Sequence, residues 1–297
     1  MTTNSQPYSL GYRVRKYTGI TLRYILMALL GAFFLFPIIF MLVSSIKTNE
    51  LQVVSDMSSL KAFLPVGEIG LDNYKTALGQ EFGQMMFNSV LIMLVTVITG
   101  LFINSLIAYS LARLKFKGKN LLLSVIIALI IIPFEAVAIP LLVLVNKLPW
   151  FGGATSWLDS YHVQIIPFIA DAFSVFLFYQ FFINIPKELE EAALVDGASL
   201  FRIFWNIILP ISRPIFATVA ILQALASWNR FMWPLMVTRG VDVRPLTVGI
   251  QTFFGQDPRI WGDLMAFASM ITIPVLIVFL LFQKWFVQSV ASTGIKG

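Results

Sequence analysis

The run Glu191-Ala192-Ala193-Leu194-Val195-Asp196-Gly197-Ala198 joins small side chains to two acids and a glycine, and Ile207-Ile208-Leu209-Pro210 and Pro214 follow it. These residue types do not make or break bonds. They suit docking: Ala192, Ala193, Gly197 and Ala198 leave room for another protein's surface, and Glu191 and Asp196 supply charge for pairing or capping. A second set lies inside apolar stretches: Glu135 between Pro133 and Pro140, Asp171, and Asn229 with Arg230. Polar and ionisable groups in such places are costly and point first to function, so these four are candidates for a translocation pathway. Glu135 and Asp171 each have two readings, a pathway or gating group, or an internal salt bridge or capped kink. Arg230 likewise either meets an anionic substrate or snorkels to the interface.

Other chemistries lack their parts. The chain has no cysteine, which excludes disulfides and thiolate sites. His162 is the only histidine, so it reads as an interfacial polar residue and not as a metal ligand. There is no G-x-x-x-x-G-K-[ST] run to cradle ATP phosphates, no H-E-x-x-H and no G-x-S-x-G. No catalytic residue, cofactor site or metal site is therefore assigned to this chain. Trp150, Trp157, Tyr161, Trp228, Trp233 and Trp261 fall near the ends of apolar stretches and read first as an aromatic belt.

The elements that must carry these residues are membrane spans. Hydrophobic residues make up 58% of the 297, charged residues 12%, and the mean hydropathy is +0.83; soluble domains carry about 25% charged residues. Six stretches reach the roughly 20 apolar residues that span a bilayer: Tyr24–Ile46, Phe87–Ala112, Leu121–Asn146, Tyr161–Asn184, Ile211–Val237 and Leu264–Phe286. Each must be helical, because lipid satisfies no backbone group. The first is too long for a cleavable leader and lacks a cleavage site, so it reads as an anchor. With the N-terminus inside, 13 of the 21 lysines and arginines fall on the cytoplasmic side, with Arg113, Lys115, Lys117 and Lys119 in one short loop. The positive-inside rule thus predicts both termini in the cytoplasm and accounts for the net charge of +6 without a nucleic acid. The external loop after the first span carries Glu50, Asp56, Glu68 and Asp72; it either caps the spans or touches a binding protein. The second external loop runs from Thr238 to Asp263 and holds Pro245-Leu246-Thr247-Val248-Gly249.

The segment around Glu191 reads as two short helices outside the bilayer. Pro186 suits a first turn, Glu188, Glu190 and Glu191 sit where the helix dipole favours acids, and Gly197 suits a left-handed end. Ser199 caps the second helix, Leu200, Ile203, Phe204 and Ile207 share a face, and Pro210 ends it. Such a unit would either carry a push into the fifth span or lie on the membrane surface as an ordinary amphipathic connector.

The stretch Ile185 to Pro214, with Glu191, Ala192, Ala193, Asp196, Gly197, Phe204, Leu209, Pro210 and Pro214 in register, resembles the "EAA" cytoplasmic loop of ABC importer permeases. Asn88-Ser89, Ala108-Tyr109-Ser110-Leu111-Ala112-Arg113, Ile132-Pro133, Ile139-Pro140-Leu141, Ser227-Trp228-Asn229 and Trp233-Pro234-Leu235 extend the likeness, and Thr293-Gly294-Ile295-Lys296-Gly297 resembles the ending of the MalG-type subunit of the carbohydrate branch. The resemblance implies an all-α, six-helix permease of the type I importer (MetI-like) fold in a bacterial inner membrane. Its parts would be a cytoplasmic segment 1–23, a first helix and periplasmic loop 24–86, a core 87–287 with a coupling loop 185–213, and a tail 288–297. The resemblance also implies its partners: a second permease, two ATPase subunits that hold ATP and magnesium, a periplasmic or lipid-anchored solute-binding protein, and a sugar or oligosaccharide, an acidic one included. Glu191, Ala192, Ala193, Asp196, Gly197, Ala198, Leu209 and Pro210 would couple to the ATPase. The competing reading is an ion-coupled secondary transporter or channel, which would use intramembrane charges as a relay without ATP.

Overall fold

The computed structural model describes residues 10–151, 153 and 155–294, with side chains for 17–151, 153, 155–277 and 280. Ile295, Lys296 and Gly297 of the MalG-like ending lie outside the described residues. The described residues form helices and no strand, beyond one isolated bridge between Lys47 and Ile69. In chain order they are α1 Leu10–Ser45, α2 Glu50–Asp56, α3 Asp72–Gly79, α4 Phe82–Arg113, α5 Lys119–Ile131, α6 Phe134–Val145, α7 Tyr161–Ile165, α8 Ala172–Ile183, α9 Glu188–Val195, α10 Leu200–Ile203, α11 Leu209–Ile211, α12 Arg213–Trp228, α13 Met232–Val237, α14 Leu246–Phe254 and α15 Trp261–Gly294. The chain divides into two compact units: one holds the chain up to Ala77 with Gln256–Ser269, the other Leu78–Gly255 with the chain from Met270 on.

Three of the six expected spans are helices long and apolar enough to cross a membrane, Tyr17–Ser45, Phe82–Arg113 and Tyr161–Ile183. The third is not one rod. Lys119–Ile131 and Phe134–Val145 meet at 103°, because Pro133 supplies no amide hydrogen and holds Ile132 extended at φ −76°, ψ 116°. Pro140 stays inside α6. The fifth differs as well. Its helix ends at Trp228, α13 begins at Met232, and residues 200–211 join α12 through an 80° bend at Ser212. The sixth starts α15, whose described apolar part is Trp261–Ile277.

In the first unit α1 exposes Leu26, Phe33, Phe34 and Leu29 all round, as a lipid-facing helix does. Beyond it the chain is pinned by polar contacts that its composition does not announce. Lys47, 1% exposed, donates to Asp56 Oδ2 at 2.7 Å and to the Lys61 carbonyl at 2.8 Å. Asn73 Nδ2 donates to the carbonyls of Ser45 and Lys47, and both oxygens of Glu50 accept from the first amides of α15, Trp261 N at 3.0 Å and Gly262 N at 3.2 Å. Of the four acids in this loop, then, Glu50 and Asp56 act internally, whereas Asp72 pairs with Lys75 at the surface.

The Lys47 hydrogen bond holds the Asp56 carboxyl below the ordinary aspartate range. A lowered carboxylate stabilises the fold fully above the unfolded value, about 4, and loses that contribution as pH falls through the lowered one. Amide protection across residues 47–64, measured against the unfolded exchange rate at the same pH, should therefore fall in Asp56→Asn and in wild type below about pH 4, while Asp72→Asn, at an exposed pair, leaves it unchanged. Equal effects from the two substitutions would contradict the buried pair.

Candidate coupling site

The segment from Ile185 to Ser212 belongs to the second unit and is built on a buried apolar base. Phe178, Phe182, Ile185, Ile203, Phe204, Ile208 and Val219 are each at most 6% exposed and pack with Ala108, Tyr109 and Leu111 of α4. Tyr109 meets Phe204 at 5.3 Å and Phe182 at 6.2 Å between ring centroids. α9 opens at Glu188, two residues after Pro186, with three acids in its first turn. It closes on Gly197 at φ +76°, where Gly197 N donates to Leu194 O at 3.0 Å and Ala198 N to Ala193 O at 2.9 Å. That pair of bonds is the Schellman ending, which favours glycine at the left-handed position. Ser199 then caps α10, its hydroxyl accepting from Arg202 N.

The chain does not stop at Pro210. Phe204–Ile208 is a π-helical turn, Leu209 N donates to Phe204 O five residues back, and Pro210 lies in the first turn of α11. A wider turn takes up a proline's missing amide without unwinding the segment. Ser212, fully buried, marks the bend instead.

This construction sorts the loop's residues by direction. Glu191, Ala192, Asp196 and Gly197 are exposed, as are Leu189, Leu194, Val195 at 88%, Leu200 and Phe201. Ala193 and Ala198 face the apolar base, as does Leu209; Pro210 is exposed. Among the small residues, then, Ala192 and Gly197 are open to a partner, while Ala193 and Ala198 let the loop sit close on its own core. Leu200 departs from the expected buried face, because α10 turns on its Ser199 cap and puts Ile203 and Phe204 inward.

One arrangement escaped the reading of the sequence. Glu190 is 8% exposed and faces away from the solvent. Its Oε1 pairs with Arg113 Nε at 2.7 Å, Arg113 Nη2 donates to the Ile185 carbonyl at 2.6 Å, and Tyr109 OH donates to Glu190 Oε2 at 3.3 Å. The available signal was the four-residue spacing of Tyr109 and Arg113, which puts both on one face of α4.

The intramembrane candidates fall into different settings. Asp171 caps α8: its Oδ2 accepts from Ser174 N at 2.7 Å and Ser174 Oγ at 2.6 Å. Asn104 of α4 accepts from Asp171 N and donates to the Ile169 carbonyl, closing the helix break before α8. Gln223 of α12 donates to Ser174 Oγ and lies against Gly100, where any Cβ would come within 2.7 Å of it. Arg230 stands at the break after α12 with its guanidinium 3.4 Å from the Phe168 ring centroid. Glu135 is exposed in the first turn of α6, and Asn229 is exposed at the end of α12.

The aromatic belt needs correction at two positions. Trp233 is fully buried and donates to the Val163 carbonyl at 2.9 Å; Trp228 is 7% exposed and donates to the Ile271 carbonyl. Each indole N–H finds a backbone carbonyl inside the protein, so both side chains turn inward. His162 stacks on Trp150 at 4.2 Å.

Comparison with known proteins gives this geometry its family. The description "Binding-protein-dependent transport system inner membrane component" matches residues 104–292. This chain belongs to that family. It is 32% identical to the arabinooligosaccharides transport system permease protein AraQ of Bacillus subtilis (strain 168) over 300 residues, covering 100% of each chain. It is also 32% identical to the trehalose/maltose transport system permease protein MalG of Thermococcus litoralis over 269 residues, 89% of this chain and 92% of that one. Its fold matches a crystal structure of a bacterial ABC transporter involved in the import of the acidic polysaccharide alginate, with a TM-score of 0.78 at 24% identity over 95% of this chain and 100% of that one. The all-helical arrangement is the MetI-like permease fold, and the chain is a transport permease subunit of the inner membrane.

The Schellman turn gives a direct expectation. Gly197→Val forces a β-branched residue into the left-handed region, at a cost of about 1–2 kcal/mol, and the Ala198 amide should exchange about 5- to 30-fold faster. Gly197→Asn, which tolerates that conformation, should change little. Unchanged exchange in Gly197→Val would mean the turn is not held as described.

Proposed function

We propose that this chain is one of two membrane subunits of an ATP-driven importer that takes a sugar or oligosaccharide, acidic saccharides included, from a solute-binding protein. The observation that carries the coupling assignment is the exposed end of α9: Glu191, Ala192, Val195, Asp196 and Gly197 stand free on a base that is fully packed beneath them. An exposed apolar and acidic surface on a rigid support is what a docking element needs. The names of the relatives support the saccharide class, since AraQ is named for arabinooligosaccharides and MalG for trehalose and maltose.

The division of labour follows from what the chain lacks. With no phosphate-binding loop in the sequence, ATP and magnesium belong to a pair of ATPase subunits. The positive-inside count puts the N- and C-termini and the coupling loop 185–213 on their side. The core 87–287 would pair with a second, related permease, and segments 24–86 and 238–263 would face the binding protein. ATP binding closes the ATPases, α9 moves with them, and the pathway changes its open side; hydrolysis resets it. Glu191, Ala192, Asp196 and Gly197 meet the ATPase directly, Ala193, Ala198, Leu209 and Pro210 shape the loop, and Asp171, Arg230, Glu135 and Asn229 are the groups assigned to the pathway.

The test is isolation of the tagged chain in mild detergent from its own cells. A second permease, an ATPase and ATP turnover should accompany it, and Glu191→Arg should reduce saccharide uptake by about tenfold or more, within the range of site-to-site coupling, while leaving the chain in the membrane. A chain recovered alone, without ATP turnover, would favour the ion-coupled reading, with Glu135 and Asp171 as the residues to neutralise first.

A further inference from the structure

We propose that Arg113 and Glu190 form a clamp that passes movement of α9 into α4, and that α4 relays it across the membrane to the segment 241–246. The proposal rests on the reading of α9 as the ATPase-docking element. Chain continuity suggests another route, from α9 through α10 into α12. That route is jointed: it crosses the Gly197 turn, a π-helical turn and an 80° bend. The clamp is direct. Arg113 holds Glu190 through Nε at 2.7 Å and the Ile185 carbonyl through Nη2 at 2.6 Å, so it grips the chain on both sides of Pro186. Its side chain and that of Glu190 are 5% and 11% exposed, and Tyr109, one turn back on α4, adds a hydrogen bond to the other carboxylate oxygen.

The opposite end of α4 is clamped as well. Asn88 Nδ2 donates to the carbonyls of Val241 and Arg244, each at 2.9 Å, and Ser89 Oγ accepts from Leu246 N at 2.7 Å. Tyr161 OH donates to Asn88 Oδ1 at 2.7 Å. From Asn88 to Arg113 an α-helix rises roughly 37 Å, more than the roughly 30 Å of a bilayer's hydrocarbon core. α4 runs unbroken over that distance, in contrast to the bent third and fifth spans. One rigid rod therefore holds Glu190 of the coupling helix and the Ile185 carbonyl before it at one end, and grips the other face's loop with two residues at its other end. Glu190 and Arg113 are positioning residues in this account and do not touch substrate or ATP.

The experiment uses the whole complex in liposomes and compares Glu190→Gln and Arg113→Lys with Glu188→Gln, an exposed acid on the same helix. Lysine keeps the charge but lacks the rigid planar fork that holds the carboxylate and the Ile185 carbonyl in fixed geometry. The readouts are ATPase co-purification, basal ATP turnover, and stimulation of turnover and uptake by saccharide-loaded binding protein. Glu190→Gln and Arg113→Lys should keep the ATPase and its basal turnover while stimulation and uptake fall about tenfold; Glu188→Gln should match wild type. The clamp is overturned if both variants are stimulated normally, or if stimulation falls only in step with lost ATPase, which marks a purely structural role. Absence of an ATPase from the wild-type preparation would instead refute the docking reading on which the proposal stands.

Discussion

Arg113 and Glu190 each carry a charge into a place where bulk water does not reach, and the organisation of the cytoplasmic end follows from that. Leaving either buried charge unpaired costs about 3–5 kcal/mol, so the start of α9 is held against the end of α4. With its base fixed, the rest of α9 is free to present Glu191, Ala192 and Val195 outward. The same packing seats Ala193 and Ala198 on the apolar base and lets Gly197 reverse the chain within two residues. A docking surface made this way is rigid without being large.

Within the core the same rule acts on polar groups that are not charged. Each helix break exposes backbone groups, and in this chain side chains from neighbouring helices meet several of them. Asn104 bonds both sides of the break before α8, and Trp233 takes the Val163 carbonyl near the end of α7; Trp228 meets the Ile271 carbonyl within α15. Gly100 lets Gln223 approach α4 closely enough to reach Ser174. Asp171, half-buried at the start of α8, is thereby tied to α4 directly and to α12 through Ser174. Bent spans and buried polar side chains are in this sense one feature, since lipid would tolerate neither alone.

Much of this was legible in the sequence. Apolar length located the helices Tyr17–Ser45, Phe82–Arg113 and Tyr161–Ile183, Pro186, Gly197 and Ser199 marked the bounds of α9 and the start of α10, and the spacing of Glu191, Gly197 and Leu209-Pro210 carried the family. What stayed hidden were relations between helices. Ile132-Pro133 announced a break, but not that it would turn the chain by 103°, which packing decides. Pro210 reads locally as a helix end, yet a π-helical turn absorbs it. Glu190 and Glu191 are neighbours of one type, and only the position of α4 separates an inward strut from an outward contact. Trp228 and Trp233 have the composition of an interfacial belt and the environment of a core.

The central claim is that the exposed end of α9 meets an ATPase. Because the chain contains no cysteine, Val195→Cys can carry a single photo-crosslinker in the assembled complex, with Asp242→Cys as the control on the opposite side. The account predicts an adduct between position 195 and the ATPase subunit and none from position 242. An ATPase adduct from position 242, or none from position 195 in a complex that still turns over ATP, would contradict it.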